Sequence, residues 1–131
     1  MAITIPWDGK FETGYERIDS EHRIFLGLIH ELSVQSEKET SKERIGRTLR
    51  EIRKYADFHF TSEENIMEDV GYPDFEEHKR LHQMLMVQLD GAIYDFHHGA
   101  QTAEEIVSFL FQWFALHTTR EDKRVAEFVE R

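Results

Sequence analysis

The stretch Phe75-Glu76-Glu77-His78-Lys79-Arg80-Leu81-His82-Gln83-Met84-Leu85-Met86-Val87-Gln88-Leu89 sets Phe75, His78, His82, Leu85 and Leu89 at alternating steps of three and four. That is the period of one face of an α-helix. The face continues through Ala92 and Phe96, which predicts a helix from about Asp74 to His97 with Gly99 as its stop. His78 and His82 stand on the apolar stripe itself. Four residues apart on a helix, their β-carbons lie roughly 5–6 Å from each other, so both imidazoles can grip one ion.

The same period extends in both directions along the chain. Ile45, Leu49, Ile52, Ala56, His59, Glu63, Ile66 and Val70 predict a helix that starts near Thr40 or Ser41 and ends before Gly71, with Pro73 in the turn. Ile18, His22, Phe25, Ile29 and Leu32 predict an earlier one over about Asp19 to Glu37. Thr102-Ala103-Glu104-Glu105 spells a capping box. It opens a helix whose stripe is Ile106, Leu110, Trp113 and His117, and a short helix from about Glu121 to Val129 follows. Residues 1–18 read as an arm with Pro6, Gly9 and Gly14, whose Ile3, Ile5, Trp7 and Phe11 are expected to pack on the outside of the core. Four amphipathic helices joined by short loops predict an all-α, up-down-up-down four-helix bundle. The 131 residues are read as one domain, arm over 1–18 and bundle over 19–131. That length suffices to bury about two-thirds of the unfolded surface.

Each long helix carries ligand-type residues on its inward stripe: His22, then His59 with Glu63, then His78 with His82, then His117 with Asp122 nearby. Imidazole nitrogen and carboxylate oxygen suit borderline and hard transition metals. Seven such groups exceed the four a structural zinc takes and suit two six-coordinate ions sharing bridging groups. A buried Glu63 without a partner would suffer a heavy desolvation cost, which coordination removes. His117 and Asp122 are five apart, roughly 140° apart on an ideal helix. The helix must therefore loosen at Thr118-Thr119, as a π-bulge does, or end there. His30, His97 and His98 are read as bystanders. Asp19, three before His22, either orients that imidazole or complements the first helical turn.

Composition excludes several classes of function. The chain has no cysteine, hence no disulfide, thiolate metal site, iron–sulfur cluster or cysteine nucleophile. A net charge of -10 from 26 acidic and 16 basic residues, with no basic stripe to offset it, argues against nucleic acid and anionic membrane surfaces as partners. No apolar run approaches the roughly 20 residues that span a bilayer. The start, Met1-Ala2-Ile3-Thr4-Ile5-Pro6-Trp7-Asp8, lacks a basic region followed by an apolar run, so no secretion signal is expected and the reading is cytoplasmic.

In order and spacing, Trp7, Ile18-Asp19-Ser20-Glu21-His22, His59…Glu63, His78…His82 and His117…Asp122 resemble the hemerythrins, in their single-domain bacterial form. The resemblance covers almost the whole chain. It implies two non-haem irons with an oxo or hydroxo bridge. His78, His82 and His117 would hold one iron and His22 and His59 the other, with Glu63 and Asp122 bridging and a position left for dioxygen on the second iron. Helical spacing independently makes His78 and His82 share an ion. The ferritin-like alternative needs Glu-x-x-His pairs, and none occurs here.

The resemblance implies a monomeric dioxygen carrier rather than an enzyme, serving oxygen storage, transport or delivery to an oxygen-consuming enzyme. Phe25, Trp113 and Phe114 would line the dioxygen pocket and exclude water. Hemerythrins often carry leucine three residues before the last ligand histidine, where this chain has Phe114. A phenyl ring there either narrows the path to the metal or simply fills the core. The rival readings are an oxygen or redox sensor module, which the chain's lack of an output domain disfavours, and a di-iron peroxidase or nitric-oxide scavenger, which calls for a proton donor beside the metals. Iron storage is disfavoured by the finite ligand set.

Overall fold

The computed structural model describes residues 12–38 and 40–129, with backbone alone at 118 and 119. The elements are α1 (Glu16–Glu37), α2 (Lys42–Val70), α3 (Phe75–His97), α4 (Ala103–His117), a π-helical turn (Thr118–Asp122) and α5 (Lys123–Val129). Helices α1 and α2, α2 and α3, α3 and α4, and α4 and α1 pack side by side, which closes an antiparallel four-helix bundle. No strand occurs among the described residues, and no helix there is long and apolar enough to cross a membrane. The expected packing of Ile3, Ile5, Trp7 and Phe11 lies outside the described residues.

The helix ends follow the chemistry of their side chains. The Ser41 hydroxyl accepts from Arg44 N–H at 3.2 Å and starts α2. At the other end Gly71 takes φ 68°, and Tyr72 N–H closes on the Met67 carbonyl at 2.9 Å. Only a residue without a β-carbon enters that left-handed conformation cheaply. Thr102 and Glu105 exchange reciprocal bonds of 3.0 and 3.1 Å, the capping box expected at the start of α4. The first helix departs from expectation. It begins at Glu16, not Asp19, because Asp19 is already inside the helix and turns its carboxylate back onto the arm. There it accepts from Thr13 N–H and hydroxyl at 2.8 Å and Gly14 N–H at 3.2 Å. The start of the first helix therefore lies one turn earlier than the sequence reading places it. Asp19 makes none of these bonds to His22.

Two apolar clusters divide the interior. The larger takes Phe25, Ile29 and Leu32 from α1, Leu49, Ile52 and Phe60 from α2, Leu85 and Leu89 from α3, and Leu110 and Phe114 from α4. The smaller takes Ile18, Ile66, Met67, Tyr72 and Val125. On α1, α2 and the α4–α5 run, the ligand-type residues fall between members of the two clusters. An up-down-up-down chain brings the start of α1, the end of α2, the start of α3 and the end of α4 to one end of the bundle. The hydrophobic burial of both clusters thus holds a polar layer in place between them.

Candidate metal centre

The π-helical turn resolves the five-residue spacing of His117 and Asp122. In that register the repeat lengthens to i→i+5, which brings Asp122 round beneath His117, with Nε2 and Oδ1 2.9 Å apart. The turn costs regular helical hydrogen bonding and delivers a carboxylate that is 0% exposed. All seven residues expected from the sequence meet: His22, His59, Glu63, His78, His82, His117 and Asp122 are buried. Their donor atoms form two overlapping groups, each within 4.8 Å. One is Glu63, His78, His82, His117 and Asp122. The other is His22, His59, Glu63 and Asp122. Glu63 and Asp122 belong to both.

The individual distances follow that division. Asp122 turns Oδ2 to His22 Nε2 at 2.8 Å and to His59 Nε2 at 3.7 Å, and Oδ1 to His117 Nε2 and, at 3.6 Å, His78 Nε2. Glu63 Oε1 lies 2.6 Å from His78 Nε2 and 3.0 Å from His82 Nε2. Its Oε2 has no hydrogen-bond partner, although the residue is 0% exposed. His117 Nε2 and Asp122 Oδ1 approach closely and yet make no hydrogen bond. His22 and His59 Nε2 stand only 3.2 Å apart. Buried polar atoms are ordinarily satisfied. Orphaned acceptors and converging imidazole nitrogens are what side chains aimed at a shared cation leave behind. The residues therefore fit a bound metal.

The electrostatics lead to the same demand for positive charge. Burial alone would favour neutral His59, but Asp122 and Glu21 outweigh it and raise its pKa to about 9. His78 rises to about 10 and His117 to about 9, burial being overcome by Asp122 and Glu63. Burial also opposes charge on Glu63 and Asp122, and the surrounding imidazoles reverse it, holding both below the usual carboxylate range. Protons and metal cations compete to supply this charge, because an imidazole binds metal through an unprotonated nitrogen.

After chelation, the three raised histidines are expected to contribute stability that is complete below their ordinary value of 6.5 and lost as pH rises through about 9 to 10. Urea midpoints of chelated protein should fall across that window. Metal uptake below it should release protons, read as a dependence of calorimetric heat on the buffer's ionisation enthalpy. Flat midpoints together with no proton release would contradict this picture.

The sequence reading missed two carboxylates behind the cluster. Glu21, 7% exposed, accepts from His59 Nδ1 at 2.7 Å and Ser62 Oγ at 2.8 Å. Glu64 accepts from His82 Nδ1 at 2.8 Å. Each fixes the tautomer that leaves Nε2 free for a metal and makes the ring a better donor. A signal was present. Glu21 is three after Ile18 and four before Phe25, and Glu64 is four after Phe60 and three before Met67, all of them buried apolar residues. His30, His97 and His98 are exposed and stay outside the cluster.

Beside His22, His59 and His117 lies a cavity of about 10 Å³, lined also by Phe25, Ala56, Phe60, Trp113 and Phe114. Phe25 stacks on Trp113 and Phe114 at 5.7 and 5.8 Å, and Phe114 meets the His22 ring edge-on at 5.3 Å. The one polar group of Trp113 is occupied, since Nε1 donates to the Leu85 carbonyl at 3.1 Å. The cavity is apolar and holds at most one very small molecule.

Comparison with known proteins agrees with this geometry. Residues 13–129 match the hemerythrin HHE cation binding domain. The chain is 29% identical to a bacteriohemerythrin of Stenotrophomonas maltophilia over 99% of its own length and 84% of that protein's. It is 30% identical to the myohemerythrin of Theromyzon tessulatum over 89% and 90% of the two lengths. A crystal structure of a leucine-to-alanine mutant of hemerythrin superposes with a TM-score of 0.86, at 25% identity and full coverage of both chains. With its ligand-type residues gathered between two apolar clusters and its length matched nearly end to end, this chain belongs to the hemerythrin family.

Proposed function

We propose that this protein binds dioxygen reversibly at a pair of non-haem irons, as a carrier and not an enzyme. The observation that carries the reading is the pair of overlapping ligand groups sharing Glu63 and Asp122, with His22 and His59 of the smaller group and His117 of the larger lining the apolar cavity. In this reading His78, His82 and His117 would hold one iron, His22 and His59 would hold the other, and Glu63 and Asp122 would serve both. Such a pair, when bound, supplies the electrons that hold dioxygen and recovers them on release.

The chain's own residues then do three things. The Nε2 atoms converge from four helices, so the bundle sets the ligand positions before metal arrives. Glu21 and Glu64 anchor His59 and His82 from behind through Nδ1. Phe25, Trp113 and Phe114 keep water and protons away from the His22 and His59 side, which slows irreversible oxidation. Apart from imidazole, the cavity lining among the described residues offers only the Trp113 N–H as a donor, and that is already taken. Binding with return of intact dioxygen is favoured over proton-coupled turnover by such walls.

Optical titration tests the reading. Reduced, iron-loaded protein mixed with dioxygen should develop a charge-transfer band that vanishes under vacuum and returns on re-exposure. A band that cannot be reversed, or steady dioxygen consumption in the presence of a reductant, would replace the carrier with an oxidase or peroxidase.

A further inference from the structure

Contrary to the expectation that no basic stripe offsets the acidic total, α2 opens with one. Lys42, Arg44, Arg47, Arg50, Arg53 and Lys54 face only Glu43 and Glu51 within the same stretch, in a chain of net charge -10. Arginine recurs every third residue from 44 to 53. Like charges three and four apart on a helix repel each other. With 26 acidic residues in the chain, solubility alone gives no reason to collect cations here.

The structure gives this stretch a shape. Lys42, Arg47, Arg50 and Arg53, together with the carboxylates of Glu43 and Asp90, line a groove of about 640 Å³ between α2 and α3, with Ile93 and His97 on its far side. Arg53 is held by Asp90 at 2.9 Å, and Lys42 Nζ donates to the His97 carbonyl at 3.1 Å. Arg47 and Arg50 are exposed and make no ion pair among the described residues. Gly46 lies between them and α3. A β-carbon on Gly46 would sit 2.8 Å from His97 Cε1, so glycine is what lets that ring lie against the α2 backbone. A glycine inside a helix is destabilising relative to alanine, and here it deepens the groove.

We propose that this groove binds a small molecule carrying two or more linked phosphates. Its volume is that of small-molecule sites. Forked guanidinium groups match phosphate oxygens, and two arginines one helical turn apart, without an ion pair among the described residues, call for anionic charges close together. Ile93 and the His97 ring give the ligand's uncharged part a surface to rest on. The groove stands apart from the metal centre: Arg50 precedes His59 by nine residues of α2, roughly 14 Å along the axis. The inference therefore holds or fails independently of what the metal centre binds.

Calorimetric titration of the full chain with inorganic pyrophosphate and tripolyphosphate, at fixed ionic strength, tests it. Saturable one-to-one binding that tightens from pyrophosphate to tripolyphosphate and weakens with added salt is expected. Removing either Arg47 or Arg50 should weaken it about tenfold, so Arg47→Gln with Arg50→Gln should nearly abolish it. Arg44→Gln with Lys54→Gln removes the same charge from α2 outside the groove and should leave the affinity unchanged. Gly46→Ala should weaken binding by pushing the His97 ring into the groove, with iron content unaltered. Equal losses in both double variants, tighter binding of citrate than of tripolyphosphate, or no saturation with either phosphate would overturn the proposal.

Discussion

Glu63→Ala is expected to strip the centre of both metals. Glu63 is 0% exposed, and its Oε1 faces His78, His82 and His117 while Oε2 has no other partner. Glu63 belongs to both ligand groups, so each ion loses a ligand and the two lose a common anchor. The remaining imidazoles would have one carboxylate, Asp122, to offset the charge of two cations. Iron content measured on purified variant should fall from about two per chain, the number the shared ligand set suits, toward zero. Stability should follow, because a ligand that binds only the folded chain stabilises it by about 1.4 kcal/mol for each tenfold excess over its dissociation constant. The variant should melt near the temperature of chelated wild type and gain nothing from added iron. His30→Ala, an exposed imidazole outside the cluster, should keep both metals and the wild-type spectrum. Retention of two irons by Glu63→Ala would refute the bridging role.

Phe114→Ala should produce the second large change, in kinetics and stability together. The ring is 4% exposed, stacks on Phe25 and touches His22 edge-on at the small cavity. Truncating a buried phenylalanine costs roughly 3–5 kcal/mol when the space stays empty. The same space joins a cavity of about 10 Å³ beside His22 and His59 and enlarges it several-fold. Dioxygen should leave faster, and water and protons should enter, so the oxygenated band should also decay faster by autoxidation. Stopped-flow release and spectral decay measure the two effects, and a urea titration measures the third. A destabilised variant with wild-type release and decay would make Phe114 core filling and nothing more.

The helices were legible because burial imposes its period on the sequence. Phe75 to Phe96 steps by three and four through six intervals without a break, and α3 occupies Phe75–His97. The site was legible for a related reason. His22, His59, Glu63, His78 and His82 occupy stripe positions where an unpartnered polar group would be costly, so their presence there signals a shared partner. Even the irregular turn was one of two outcomes the spacing allowed, since His117 and Asp122 cannot face one point unless the helix loosens or ends between them, and it loosens. What escaped the reading depends on contacts between helices. Asp19 looks like the first residue of a helix, but the Thr13 and Gly14 amides that claim it come from an arm without periodicity. Glu21 and Glu64 stand beside ligand residues in sequence, and only packing reveals that each reaches an Nδ1 on another helix. The α2 arginines were absorbed into a net acidic count, which averages over the surface and hides a groove.

Iron stoichiometry with Mössbauer spectroscopy on the wild-type chain, expressed with ample iron and left unreduced, tests the central claim most directly. Two irons in one chain, joined by the carboxylates of Glu63 and Asp122, should give about two irons per chain, little zinc, and a diamagnetic ground state at low temperature from coupling through shared ligands. One iron per chain at full occupancy, or two that behave as magnetically isolated ions, would contradict it.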